Sequence, residues 1–169
     1  MFRSKDFILM DVIDIHGKKI GFVKDIIIDF HNGEVNGVVV SSYRLFQKNI
    51  NVLRENIISF NKSMVIRGWN KESYLKFSNI KDMDIINKYG DVIGITEDIL
   101  FHEFTFKIHG IIVSTGLIKN IISGKKILLT NSLILGEKNM LYYKDKSNID
   151  FVSVPHKLFT EVGCYEKDI

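Results

Sequence analysis

The sequence predicts an all-β fold of two tandem small β-barrels with five to six strands each, followed by a short C-terminal helix. The first observation behind this prediction is an internal repeat, because residues 10–42 and 83–115 align without a gap and are identical at 11 of 33 positions. A repeat of this kind sets the architecture and has to be recognised first. The second observation is apolar alternation with a period of two between glycine-bearing turns, which is typical of strands.

Chain length and composition set the domain organisation. The 169 residues suit two units of about 70 to 80 residues, a size at which one hydrophobic core is only marginally stabilising. We therefore assign residues 1–67 to repeat 1, residues 77–143 to repeat 2 and residues 144–169 to a C-terminal extension, and we expect the repeats to pack together. The net charge of +3 falls short of the strongly basic balance typical of nucleic-acid-binding domains.

Repeat 1 contains the clearer strand signals. Residues 20–30 place apolar side chains at every second position except Lys24, as a half-buried strand does. The following Asn32-Gly33 is the strongest short-range signal for a β-hairpin. The predicted strands of this repeat are residues 7–15, 20–30, 35–42, 51–58 and 60–66.

Repeat 2 follows the same course after a boundary at residues 68–74. Its predicted strands are residues 80–88, 93–101, 105–115, 127–130, 132–135 and 140–143. The hairpin turn carries Thr105-Phe106 in place of Asn-Gly, so we expect a looser or longer turn in this repeat.

The C-terminal extension and the cysteine usage complete this reading. Pro155 and Gly163 bracket a short amphipathic segment, which predicts a helix at residues 155–163. Cys164 is the only cysteine, which excludes an internal disulfide and fits a reducing cytosol. The longest uncharged run, residues 108–118, is about half of what a membrane span needs. We expect a cytoplasmic protein without membrane insertion.

The residues around the repeated glycines resemble a known family. Residues 14–29 read DIHGKKIGFVKDIIID and are followed by the Asn-Gly turn and the valine-rich residues 37–40. This pattern resembles the PRC-barrel family, in which a short strand and an Asp/Asn-Gly turn precede Gly-x-Val-x-Asp-Val-x-Ile-Asp. The resemblance spans about residues 5–143 and continues in repeat 2 through Gly90, Gly94, Asp98 and Gly110.

The resemblance implies a binding module rather than an enzyme. The family includes the cytoplasmic domain of the photosynthetic reaction-centre H subunit, the C-terminal domain of the ribosome maturation factor RimM and small free-standing proteins. It implies no catalytic residues, and we predict no catalytic, cofactor-binding or metal site. Fold analogy alone does not establish a function.

Two glycines and one aspartate recur at the same positions of the two repeats. A phosphate-binding loop would need a Gly-Lys-Ser/Thr ending and a following helix, whereas a strand follows here. We therefore interpret the glycines as turn residues. A lone carboxylate beside a glycine turn most often accepts backbone amide hydrogen bonds, and no second titratable group recurs within residues 17–29 and 90–102 to support catalysis. These predicted structural residues are Gly17, Gly21, Asp25, Gly90, Gly94 and Asp98.

Two loops are candidate partner-binding surfaces, because they are apolar with interspersed cations where a hairpin tip is normally polar. Aromatic residues and arginine are enriched at the anchors of protein interfaces, and the first loop contains both. Packing between the two repeats is the alternative explanation for both loops. The candidate residues are Tyr43, Arg44, Leu45 and Phe46 in the first loop and Leu117, Ile118 and Ile121 in the second.

The function predicted from these observations is that of a non-enzymatic cytoplasmic interaction or adaptor module, which binds another protein or itself. One alternative is an RNA- or ribosome-associated factor that resembles the RimM C-terminal domain and contacts phosphates through cations in predicted turns. Those cations are Lys18, Lys19, Arg44, Lys48, Lys125 and Lys126. Another alternative is a small-ligand binder in the cleft between the barrels, which requires a deep pocket with convergent polar groups.

Overall fold

The computed structural model of the protein describes residues 1–44, 46–116 and 124–144. They form two β-sheets, one for each repeat, which confirms the predicted β class. The first sheet contains β2 (Asp11–Asp14), β3 (Lys19–Asp29), β4 (Glu34–Ser42), β5 (Ile50–Leu53), β6 (Ile57–Phe60) and β7 (Ser63–Ile66). The second contains β1 (Phe2–Arg3), β8 (Asp84–Asn87), β9 (Val92–Phe101), β10 (Ile108–Ser114), β11 (Lys126–Leu129), β12 (Leu133–Leu135) and β13 (Asn139–Tyr142). One short helix, α1 (Phe77–Ile80), and three 3-10 turns, Ser4–Asp6, Arg54–Asn56 and Thr130–Ser132, complete the described elements.

Both sheets have the same strand order. In repeat 1 the order is β5-β4-β3-β2-β7-β6, and β2 pairs with β7 in parallel. In repeat 2 the order is β11-β10-β9-β8-β13-β12, and β8 pairs with β13 in parallel. Within the described residues the end strands do not pair with each other, so each predicted barrel is an open sheet. At the gap between the end strands β5 and β6 of the first sheet, the β9–β10 turn of repeat 2 comes into contact with repeat 1. There, Arg54 donates a hydrogen bond to the carbonyl oxygen of Thr105 (2.8 Å).

The glycines of the repeated motif fall into two structural classes. Gly17 and Gly90 lie in turns with φ angles of 77° and 87°, which favour glycine. Gly21 and Gly94 instead lie inside β3 and β9. A Cβ atom there would come within 2.0 Å and 2.5 Å of a carbonyl oxygen of the neighbouring strand. At these two positions the requirement for glycine comes from close strand packing rather than from a turn.

Each repeat contributes its leading segment to the sheet of the other. β1 at the start of repeat 1 pairs antiparallel with β9 of repeat 2. At the start of repeat 2, Lys76 forms a bridge with Ile27 of β3, and the N–H of Ile28 donates to the carbonyl oxygen of Leu75 (3.0 Å). The exchange is therefore reciprocal and joins equivalent positions of the two repeats.

The hairpin turns of the two repeats also meet. The N–H of Val35 donates to the carbonyl oxygen of Phe106 (2.8 Å), and the N–H of Ile108 donates to that of Gly33 (2.7 Å). One hydrophobic cluster continues through both repeats and includes the buried residues Val38, Met64, Ile99 and Phe101. The prediction that the repeats pack together is confirmed.

Three local predictions have different outcomes. The turn between β9 and β10 covers residues 102–107, against residues 30–33 between β3 and β4, which confirms the longer turn in repeat 2. The first predicted strand, residues 7–15, forms only as β2, because Leu9 has a φ of 70° and interrupts the extended backbone. The predicted helix at residues 155–163 lies outside the described residues.

Candidate functional site

The loop between β4 and β5 carries the first predicted binding surface. Its described members, Tyr43, Arg44 and Phe46, are all exposed, and we call these three residues the tip. Phe46 is fully exposed (103% relative accessibility), and its φ of 64° lies in the left-handed region that non-glycine residues rarely adopt. The loop therefore presents a phenylalanine ring to solvent.

Tyr43 anchors the tip to the first sheet. Its hydroxyl donates a hydrogen bond to the Asp11 carboxylate on β2, and its ring lies 5.6 Å from the ring of Phe22 on β3. The hydrogen bond to Asp11 raises the pKa of Tyr43, since the bond favours the neutral phenol. At the base of the loop, the backbone N–H of Arg44 donates to the Ser42 hydroxyl (3.1 Å). These contacts hold the start of the loop in place and leave the side chains of Arg44 and Phe46 accessible.

The remaining predicted partner-binding residues lie outside the described part of the chain. They are Leu45, Leu117, Ile118 and Ile121. The candidate surface is therefore built on the tip alone.

Asp98 fixes the exchanged N-terminal segment. Its carboxylate is 4% exposed and accepts hydrogen bonds from the backbone N–H groups of Ser4 (3.0 Å) and Ile99 (2.9 Å). It also pairs with the guanidinium Nε of Arg3 at 3.0 Å. All of these donors belong to the joint between β1 and β9, so Asp98 holds the exchange together.

Asp25 occupies the equivalent position in repeat 1. It accepts hydrogen bonds from the backbone N–H groups of Ile26 (2.8 Å) and Ser78 (3.3 Å), and Ser78 belongs to α1 at the start of repeat 2. Both recurring carboxylates therefore bind backbone amides of a leading segment from the other repeat. The two carboxylates therefore stabilise the contacts between the repeats.

A cleft of about 1100 Å³ lies between the repeats. It is bounded by residues 30–33 of the β3–β4 turn, the boundary residues 73–75 and residues 129–135 of repeat 2. Its lining includes the buried side chains Ile28, Ile108 and Leu133 and the partly exposed Leu129 (39%) and Ile134 (53%). The cleft is thus in the space where the ligand-binding alternative would place its site.

Two charged side chains at the cleft rim, Lys107 and Asp29, are held by an ion pair and by hydrogen bonds, respectively. Lys107 forms an ion pair with Glu34 at 2.8 Å. The backbone N–H and the side-chain amide of Asn32 both donate to Asp29 (2.9 and 2.7 Å) and lower the pKa of its carboxyl group. Glu34 therefore compensates the charge of Lys107, whereas the hydrogen-bond donors of Asp29 are neutral amides.

The equivalent space on the other side of the molecule is filled. Phe106 aligns with Gly33 in the repeat, and both have left-handed backbones with φ angles of 59° and 64°. The Phe106 ring is buried and lies 5.9 Å from the ring of Phe60, and the Arg54 guanidinium lies 5.0 Å from its centroid. On the open side, Thr130 begins the 3-10 turn at the position where Arg54 begins the corresponding one.

Smaller residues on one side therefore create the cleft. β6 ends at Phe60, which pairs with Met64, and Leu135 at the end of β12 takes the same place in repeat 2, where it pairs with Met140. The sequence suggested a cleft between the barrels as an alternative site but did not identify the residues that line it. The repeat alignment contained a signal for these residues, because Gly33 in repeat 1 aligns with the much larger Phe106 in repeat 2.

The described residues show no metal centre and no membrane-spanning helix. Within residues 1–44, 46–116 and 124–144, no three His, Cys, Asp or Glu side chains are grouped to hold a metal ion. His102 and His109 lie near each other, with ring centroids 6.1 Å apart, and in those ranges no third such side chain joins them. In the same ranges no helix has the length and apolar character needed to cross a bilayer.

Comparison with known proteins agrees with the repeat organisation. The family model of the PRC-barrel domain matches the chain twice, at residues 1–69 and 72–141. No curated protein sequence matches the chain significantly. The two matches cover most of the chain and correspond to the two sheets, except that β1 lies in the first match and pairs in the second sheet. The chain therefore belongs to the PRC-barrel domain family.

Proposed function

We propose that the protein is a non-enzymatic cytoplasmic interaction module that binds a protein partner through the tip. The observation that carries this proposal is the fully exposed ring of Phe46 on a loop whose base is anchored. Burying a phenylalanine side chain contributes about 1.5–3 kcal/mol, so one such ring is a substantial part of a binding interface. Arg44 beside it adds a side chain that is enriched at interface anchors.

The use of the recurring polar residues supports a non-enzymatic role. Asp25 and Asp98 are the titratable residues that the two repeats share in the motif, and both hold backbone amides across the exchange. A catalytic carboxylate would instead be directed towards a space in which a substrate can sit. The repeated positions thus maintain the fold, whereas the tip differs between the repeats.

Affinity capture from the native cytoplasm tests the proposal. The wild type is compared with Phe46→Asp and with Val92→Asp, a control that places the same charge on another exposed apolar residue (61%) in repeat 2. We expect the wild type and the control to retain a common partner and Phe46→Asp to bind it at least about tenfold more weakly. Thermal unfolding first establishes that all three proteins fold. Retention of the same partner by all three proteins would show that the tip is not the binding surface.

A further inference from the structure

The filled side of the molecule shows what kind of group fits between the repeats. There, Phe106 packs with the rings of Phe60 and Phe101, and Arg54 lies over its face and donates to the carbonyl oxygens of Thr105 (2.8 Å) and Phe104 (3.3 Å). A phenylalanine ring on a left-handed backbone, with a guanidinium group over it, therefore fills this site.

The open side has the same walls without those groups. Gly33, Thr130 and Leu135 take the places of Phe106, Arg54 and Phe60, and the apolar residues Leu129 and Ile134 are partly exposed at the rim. A Cβ atom at Gly33 would meet only the Thr130 methyl group, at 3.9 Å. The cleft thus has a partly apolar lining and, at Gly33, room for an aromatic side chain that this repeat does not provide.

The tip carries the missing groups. Phe46 has a left-handed backbone with a φ of 64°, close to the 59° of Phe106, and Arg44 lies two residues before it. The tip follows the end of β4, whereas the cleft adjoins its beginning. Nine residues of strand at about 3.4 Å each separate them by about 30 Å, so a molecule cannot insert its tip into its own cleft.

We propose that the cleft at Gly33 receives the tip of a second copy of this chain, with Phe46 taking the place that Phe106 takes on the filled side. Two copies laid antiparallel along β4 make this contact twice, which is the arrangement of a two-fold dimer. This inference rests on the proposed function, since it names the partner of the tip. It also assigns the cleft, which the proposed function leaves without an occupant.

Sedimentation velocity over a range of concentrations tests the inference. Phe46→Ser removes the ring of the tip, and Gly33→Phe fills the cleft with the residue that repeat 2 already accepts at this backbone geometry. We expect each variant to self-associate at least about tenfold more weakly than the wild type. Gly33→Asn is the matched control, because asparagine tolerates the left-handed region without filling the cleft, and it should associate like the wild type.

Mixing the two variants makes the test independent of any loss of stability. The Phe46→Ser protein retains an intact cleft and the Gly33→Phe protein retains an intact tip, so the mixture should form a heterodimer through one contact although neither variant associates alone. If Gly33→Phe does not fold, Thr130→Arg replaces it, with the same expected loss of association. Failure of the folded variants to associate when mixed, or unchanged association of the cleft variant alone, overturns the inference.

The outcome also separates this inference from the proposed function. A wild type that stays monomeric up to its solubility limit, yet captures a partner that Phe46→Asp does not, overturns self-association and leaves the proposed function standing. Loss of self-association in Phe46→Ser and Gly33→Phe, with recovery in the mixture, supports both.

Discussion

Asp25 and Asp98 occupy equivalent positions of the repeats, but the structure places different demands on them. Asp98 is buried, and it binds two backbone amides and the Arg3 guanidinium, whose side chain is 12% exposed. Asp25 is partly exposed and binds two backbone amides, one of them at 3.3 Å. Since the penalty for an unpaired polar group grows with burial, the same residue should stabilise the two exchanges to different extents.

We expect Asp98→Ala to lower the free energy of unfolding by roughly 3–5 kcal/mol, because it removes the acceptor of two backbone amides and the nearer carboxylate of Arg3, whose nearly buried guanidinium then keeps only Glu97 at 3.9 Å. Asp25→Ala should lower it by about 1 kcal/mol, as is usual for the loss of ordinary hydrogen bonds. Urea unfolding of both variants beside the wild type measures the difference. Equal losses would show that burial does not distinguish these carboxylates.

The elements that define the fold are the two leading segments, which are short but exchanged between the repeats. β1 has two residues, and its Phe2 ring lies 5.2 Å from the ring of Phe7 and 5.8 Å from that of Phe60. This segment therefore adds a strand to the second sheet and an aromatic side chain to the core of the first. A short terminal element thus joins both halves of the molecule.

Deletion of residues 1–6 tests this role. We expect a loss of at least about 3 kcal/mol in the free energy of unfolding, comparable to the removal of a buried phenylalanine. Because the end of β9 at Leu100 and Phe101 loses its pairing with β1, the amides there should exchange with solvent faster than those of the equivalent Ile27 and Ile28 in β3. Hydrogen exchange measured residue by residue compares the two strands within one sample. Equal protection of these two strand ends after the deletion would contradict the proposed role of β1.

At the scale of the whole molecule, the repeats form one folding unit rather than two independent domains. Each repeat has about 70 residues, a size that buries comparatively little surface by itself. The reciprocal exchange adds to this dependence, since the end of β9 pairs with β1 from repeat 1 and Ile28 bonds to Leu75 from the start of repeat 2. The shared hydrophobic cluster makes the same connection through side chains.

We expect the fragments 1–72 and 73–169 to show no cooperative unfolding when they are separate. Mixed in equal amounts, they should recover strand structure and a cooperative transition, because each supplies the leading segment that the other sheet needs. Circular dichroism during thermal unfolding measures both states. A cooperative transition in fragment 1–72 alone would show that repeat 1 is an independent domain.

The sequence by itself determined the features that depend on neighbouring residues and on the repeat. Alternation in residues 20–30 predicted β3, the Asn32-Gly33 pair predicted its hairpin turn, and the recurrence of the motif predicted the family and two units that pack together. It also singled out the tip, because the composition of Tyr43 to Phe46 is unusual for a loop. These signals are local, since strand periodicity and turn chemistry act over a few residues.

Only the tertiary structure decided how the repeats are joined and where the cleft opens. The exchange pairs β1 with β9, about a hundred residues away, which no local pattern encodes. The cleft depends on Gly33 facing Thr130, whereas Phe106 faces Arg54 on the other side. Whether a space between two repeats is filled is decided by the combined volumes of side chains that are distant in the chain, and these meet only once both sheets have folded.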